Sequence, residues 1–251
     1  MDFKKDKIVN LILIVIPFAC IFLAWQIGSL FTNEFILPSV GETLSALILV
    51  FSKQEFYTAL FGTLLRTVIA FGVSFITAFI LAFLSRIYKR AEVIISPVIS
   101  LLRALPTIAV VLILLAWTNS NVASVVVTSL VVLPTIYSSL RDSLFSVDDE
   151  LIKVLKLYGA DDKKLLKSVY LPAILPSTLL AVGGGLSLNL KLMVAAEVIA
   201  ATANSMGYLL NSAKWNLETA NMIAIVVVTV CIGLLVEWVF KTLSKKVGEW
   251  Q

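Results

Sequence analysis

The chain has 251 residues, 59% of them hydrophobic and only 14% charged, and a formal charge of +4. A soluble domain of this length carries about one-quarter charged residues, so a mean hydropathy of +0.99 makes this an integral membrane protein with no stretch left for a separate soluble domain. The absence of His excludes imidazole metal sites, and the absence of a G-x-x-x-x-G-K-[ST] loop excludes ATP hydrolysis by that device.

Six apolar segments predict six transmembrane helices: Ile8–Ile27, Phe61–Leu84, Val93–Trp117, Val122–Leu140, Leu171–Ala201 and Met222–Phe240. The first follows Lys4, Lys5 and Lys7, but exceeds a signal peptide's apolar run and has no clean small-x-small cleavage site after it, so it counts as a helix. Gly28 to Leu60 is a long connection holding Leu37-Pro38-Ser39 and a half-polar stretch, read as a short helix at the outer surface. Fifteen Lys and Arg fall on one set of connections and only Lys53 and Lys214 on the other. The positive-inside rule then puts both termini in the cytoplasm, and explains the basic balance without nucleic acid. Cys20 and Cys231 sit in apolar runs and read as small core residues.

Within the spans, Arg66 lies near an outer end and reads as snorkelling. Arg103 lies close to Pro106, whose missing N–H frees backbone that a guanidinium satisfies. Gly183-Gly184-Gly185 reads as close helix packing, with a hinge as the alternative. Lys191 falls about 15 Å from the outer end of its segment, where an ionised amine costs at least about 3 kcal/mol unless paired or wetted. Two readings stay open. Either Lys191 lines the translocation path with Asn189 and Glu197 nearby, or it forms an ion pair with Glu237 or with Glu197 across a dimer.

The inner connection, 141–170, is the most informative. Val147, Leu151, Val154, Leu155 and Tyr158 recur at helical spacing, with Asp148, Asp149, Glu150, Lys153 and Lys156 between them. Gly159 stops the helix, and Asp161 and Asp162 suit the start of a second one. Two short amphipathic helices with a glycine hinge result, suited to an anionic lipid surface or to a protein groove.

Gly159 with Leu171-Pro172 resembles the G-x(11)-L-P signature of binding-protein-dependent ABC importer permeases. Leu102-Arg103-Ala104-Leu105-Pro106-Thr107-Ile108-Ala109 resembles a run of the nitrate/sulfonate/taurine branch, as do Ala195-Ala196-Glu197, Met206-Gly207-Tyr208-Leu209 and Phe35-Ile36-Leu37-Pro38-Ser39. Thr63-Leu64-Leu65-Arg66-Thr67 resembles the start of the family's core. The resemblance implies an all-α polytopic fold, the type I ABC importer permease, with residues 1–60 as an N-terminal helix and outer segment and 61–251 as the core. It implies a homodimer or heterodimer of permease subunits, two ATP-binding-cassette ATPase subunits beneath and an extracytoplasmic solute-binding protein outside. This chain would bind no cofactor and be no enzyme; ATP and Mg would sit on the ATPase. The coupling helix carries over to about Asp149–Gly159, so Asp149, Glu150, Lys153, Val154, Leu155, Tyr158, Gly159, Ala160 and Asp161 would contact or shape the ATPase joint. Lys191, Asn189, Glu197 and Arg103 would line the path.

The sequence departs from the family at two places: its usual Glu-Ala-Ala stands here as Lys153-Val154-Leu155, and the branch's glycine-containing turn after Trp117 stands as Thr118-Asn119-Ser120-Asn121. The resemblance implies inward transport of a small anion such as a sulfonate, taurine or nitrate by alternating access; a vitamin precursor such as a pyrimidine is the alternative. An ion-coupled secondary transporter is the competitor from another class, and it lacks the paired intramembrane carboxylates and repeated halves it would need.

Overall fold

The computed structural model describes residues 3–248, apart from the side chains of residues 3–12, 14, 162 and 163. Lys4, Lys5, Lys7, Asp162 and Lys163, used above for topology or capping, therefore lie outside the described side chains. The regular structure is helical throughout the described residues. The chain divides into two compact units, one of residues 1–57 with 209–228 and one of 58–208 with 229–251.

In the first unit, α1 (Phe3–Leu30) leads through a turn into α2 (Val40–Ser52), the helix expected in the outer connection. Ser39 caps α2: its Oγ accepts from Glu42 N at 3.2 Å while the Glu42 carboxylate accepts from Ser39 N at 2.7 Å, the reciprocal capping box. The Trp25 indole N–H donates to Pro38 O at 2.9 Å. Its polar edge thus holds the turn. Gln26 Oε1 accepts from Val40 N, and Thr219 Oγ1 donates to Phe35 O at 2.5 Å.

The second unit holds the bundle. Among the described residues, α3 (Gln54–Ile87), α6 (Ser120–Phe145), the run Leu166–Ala200 and α11 (Thr219–Gly248) are long and apolar enough to cross a bilayer. The expected span Val93–Trp117 is not one straight helix. It is α4 (Lys89–Ala104) and α5 (Thr107–Trp117), bent by 92°. Pro106 is the cause: it lacks an N–H and forces the preceding Leu105 into extended backbone at ψ 125°, so the helix ends at Ala104 and restarts beyond the proline. Pro97 and Pro134 are absorbed inside their helices.

Lipid is as apolar as a leucine side chain, so helix association here depends on close packing and polar clasps more than on hydrophobicity. Ser74 Oγ on α3 donates to Ser129 O at 2.8 Å, and Ser129 Oγ returns a bond to Ala70 O at 3.2 Å. Ser85 Oγ and Tyr137 Oη meet at 2.8 Å. Phe71, Phe75, Phe79 and Phe83 stack one turn apart along α3, and the ladder ends edge-on against Tyr170. The apolar core they enter is built on Ile136, Leu140 and Leu144 of α6 and on Ile174. Cys20 and Cys231 are free and exposed on their helices, not in this core. A span surrounded by lipid is apolar on all sides, so an apolar neighbourhood in sequence does not mark a residue as buried in protein.

The inner connection holds α7 (Asp149–Leu157) and α8 (Asp162–Leu165). The second does not stand alone as expected. It runs through a π-helical turn, Leu166–Tyr170, into α9 (Leu171–Ala200). Pro172 explains the wide turn: an α-helical ring would clash one turn back, and the Leu171 N–H reaches Leu166 O instead. The glycine triplet packs on two sides. A Cβ on Gly183 would meet Phe240 at 2.6 Å and one on Gly185 would meet Phe71 at 2.9 Å, while Gly184 faces open space. The last helix before α11 is α10 (Met206–Trp215).

Candidate functional site

Helix α7 is set by local chemistry. Asp148 Oδ1 accepts from Glu150 N at 2.8 Å, Asp149 and Glu150 sit at the positive end, and Lys156 at the negative end. Gly159 takes φ +81° with nothing crowding it, so its glycine serves the left-handed turn rather than space. Ala160 N then donates to Leu155 O at 3.0 Å and Gly159 N to Lys156 O. Asp161 Oδ1 accepts from Lys164 N at 2.7 Å and opens the next helix.

The single apolar stripe expected on α7 is two. Ile152, which the stripe omitted, is buried, and Leu155 lies half-buried beside it. Leu151, Val154, Leu157 and Tyr158 point the other way, the last two 86% and 87% exposed. Glu150 and Lys153 are exposed between them.

The inner face is clamped by a residue that sequence reasoning used only for topology. Arg86, in the last turn of α3, donates to Asp149 Oδ1 at 2.5 Å and to Val147 O at 3.4 Å. Its guanidinium lies over the Phe145 ring at 5.4 Å and the Tyr170 ring at 5.5 Å. One side chain, 12% exposed, so joins α3, α6, α7 and the start of the α9 span. The hydrogen bond from Arg86, with its charge, holds the Asp149 carboxyl below the usual carboxylate range.

At the other end of α3 lies a second charged cluster. Arg66 is 13% exposed and does not snorkel; its Nε donates to Glu197 Oε1 at 2.8 Å. Its remaining nitrogens reach Asn121 Oδ1 and Asn204 O. Glu197, with its side chain fully buried, also accepts from Thr63 Oγ1 at 2.8 Å and from Gly207 N. A Cβ on Gly207 would meet Glu197 Cβ at 2.5 Å, and one on Gly62 would overlap Asn204 O. Glycine is therefore required at both close approaches. The chain between α9 and α10 turns tightly through Ala201 and Asn204, both left-handed. The Ala-Ala-Glu and Met-Gly-Tyr-Leu elements thus converge on one buried ion pair.

The four residues expected along a path do not share a face. Asn189 is buried and donates through Nδ2 to Thr67 O at 2.8 Å, on the same side of α9 as Glu197. Lys191 lies about 120–160° round the helix from both, exposed on the chain, with its stem running past Gly233 of α11. Among the described residues it makes no ion pair with Glu237. Arg103 is exposed at the end of α4 and donates to Ser138 Oγ and to Pro134 O of α6.

The sequence profile described as "binding-protein-dependent transport system inner membrane component" matches residues 74–249. A putative aliphatic sulfonates transport permease protein of Bacillus subtilis is 24% identical over 93% of this chain and 85% of its own length. The taurine transport system permease protein of Escherichia coli is 24% identical over 90% and 84%. Among solved structures, the inward-facing methionine ABC transporter has a TM-score of 0.66 at 18% identity over 75% of this chain and 94% of that one. The bacterial alginate ABC transporter, solved with its periplasmic protein, has a TM-score of 0.64 at 14% identity over 98% and 96%. These likenesses agree with the helical architecture in giving the type I ABC importer permease fold. The chain belongs to the family of binding-protein-dependent transport system inner membrane components, as a permease subunit and not an enzyme.

Proposed function

We propose that this permease moves a small anion, such as a sulfonate, taurine or nitrate, into the cell by alternating access, with α7 as the coupling helix. It works as a dimer of permease subunits over two ATPase subunits, which carry ATP and Mg, and receives its solute from an extracytoplasmic binding protein. Both termini are cytoplasmic. The observation that carries this reading is the division of α7: its inner face is fastened by Ile152 and Arg86, and its outer face leaves Leu151, Val154, Leu157 and Tyr158 exposed. Large exposed apolar side chains on a helix held from behind suit a protein cleft. Lys153 replaces the family's acid on the exposed side, so the ATPase cleft presents an acid to it.

Within the membrane, Lys191 faces away from the Arg66–Glu197 cluster and supplies positive charge to an anion in transit. The relatives named for sulfonates and taurine support the substrate class. Reconstitution in vesicles with the ATPase and binding protein tests the whole reading. Uptake of a sulfonate should require ATP inside, and Lys191→Met should reduce uptake about tenfold or more, the loss of one desolvated charge–anion contact, while leaving assembly intact. Uptake indifferent to ATP would overturn the class, and full uptake by Lys191→Met would remove Lys191 from the path.

A further inference from the structure

Helices α9 and α11 run antiparallel against each other, and three contacts fix their register. Ser244 Oγ donates to Pro176 O at 2.8 Å. A Cβ on Gly183 would stand 3.6 Å from Glu237 Cα, and one on Gly233 would stand 3.0 Å from Ser187 Oγ. Each step forward on α9 is thus matched by a step back on α11. Gly183, Ser187 and Lys191 recur at every fourth position and share one stripe of α9, and Gly233 and Glu237 share the stripe of α11 that meets it.

In this register Lys191 and Glu237 lie one helical turn to either side of the Ser187–Gly233 contact, so their Cα atoms are about 12 Å apart along the helices. Helical side chains lean toward the N-terminus of their own helix. Because the two helices run in opposite directions, Lys191 and Glu237 lean toward each other over Gly233. Lys191 shows the lean directly: its Cε comes within 3.9 Å of where a Gly233 Cβ would stand. The two side chains are exposed, and neither takes part in an ion pair among the described residues. Between them, Gly233 has no side chain to fill the space, and the Ser187 hydroxyl is 3% exposed without a hydrogen-bond partner. An unpaired charge within a span is costly, as is a buried polar group without a partner. A cation, an anion and an unused donor around one gap match a solute that carries an acid group and an ammonium on a short linker.

We propose that Glu237 is a specificity-determining residue for the transported solute. The acid head of an aminosulfonate lies on the Lys191 ammonium and the Ser187 hydroxyl, and its own ammonium lies on the Glu237 carboxylate. This rests on the reading that Lys191 meets the solute, and narrows that solute from a simple anion to a zwitterion. An anion without an amine meets the Glu237 charge uncompensated and is disfavoured by it.

The test is binding of radiolabelled taurine, and of radiolabelled ethanesulfonate as its analogue without the amine, to the purified full chain in neutral detergent. One charge-assisted contact corresponds to about tenfold in affinity, so the native chain should prefer taurine by about that factor. Glu237→Gln keeps the shape and removes the charge. It should weaken taurine and strengthen ethanesulfonate until the two bind almost equally, and a packing defect would not produce that gain. Glu237→Asp, which keeps the charge, should restore part of the preference, and Lys191→Met should lose both ligands. Absence of taurine binding by the native chain overturns the proposal, as does a preference that survives Glu237→Gln. Equal binding of the two ligands by the native chain, with both lost in Lys191→Met, overturns the zwitterion and leaves Lys191 on the path. Unchanged binding of both by Lys191→Met overturns the reading of Lys191 itself, and the proposal with it. Should Glu237→Gln lose both ligands and unfold at a lower temperature, Glu237→Asp decides: recovered stability without recovered preference assigns the carboxylate to packing and overturns the proposal.

Discussion

Two arginines on one helix face two carboxylates, and the surroundings give them opposite characters. At the outer end Arg66 meets Glu197, whose side chain is fully buried and takes two further bonds, from Thr63 and Gly207. At the inner end Arg86 meets Asp149, which is 69% exposed. A buried pair satisfied on every side has one geometry open to it, because losing one partner leaves a desolvated charge. An exposed pair is screened by water and worth little on its own, so it can release and re-form. The outer end of α3 is thus built as a fixed joint. The inner end is a looser seat for α7, where the rings of Phe145 and Tyr170 hold the guanidinium independently of the carboxylate.

The comparison is broken most sharply at the fixed joint. Arg66→Met strands Glu197, and thermal unfolding of the full chain in detergent should reveal a loss of about 3–5 kcal/mol. Arg66→Met with Glu197→Gln should recover a large part of that loss, and a double variant as unstable as the single one would deny the pair its role. Gly207→Ala, which pushes a methyl into Glu197, should cost about 1–3 kcal/mol in the same assay.

At the inner end the effects should fall on partnership rather than on stability. Lys153→Glu, which restores the sign usual in the family, should weaken co-purification with the native ATPase several-fold, about 1 kcal/mol. Unchanged capture and transport would deny the ion pair. The smallest effect concerns acidity. Arg86 depresses the Asp149 carboxyl in the folded chain, so its contribution is present above the ordinary carboxylate range and is lost as pH falls through the depressed value. Hydrogen exchange of α7 should therefore stay slow across neutral and mildly acid pH and quicken only below that range. Asp149→Asn should flatten the profile.

Much of this was legible because the membrane imposes coarse rules. Four of the spans, helix α7 and its glycine stop follow from apolar length and local capping chemistry. What was hidden depends on partners distant in sequence. Glu197 reads as an acid for the path or for Lys191, and only folding brings Arg66 to it across 131 positions. Arg86 reads as one more positive-inside charge, since nothing local announces two aromatic rings and a carboxylate from three other elements. Ile152 escaped because a nine-residue helix has too few turns for periodicity to separate two apolar faces. At Pro106 the chain turns by 92°, whereas Pro97 and Pro134 stay inside their helices, and the three prolines look alike in sequence.

Cross-linking from Tyr158→Cys tests the central claim about α7 most directly. With the native ATPase present in inside-out vesicles, the thiol should be reached by reagent from the cytoplasmic side, and bound ATPase should shield it and form a disulfide with a cysteine placed in the ATPase cleft. Labelling of that thiol from outside intact cells, or full reactivity in the assembled complex, would contradict the account.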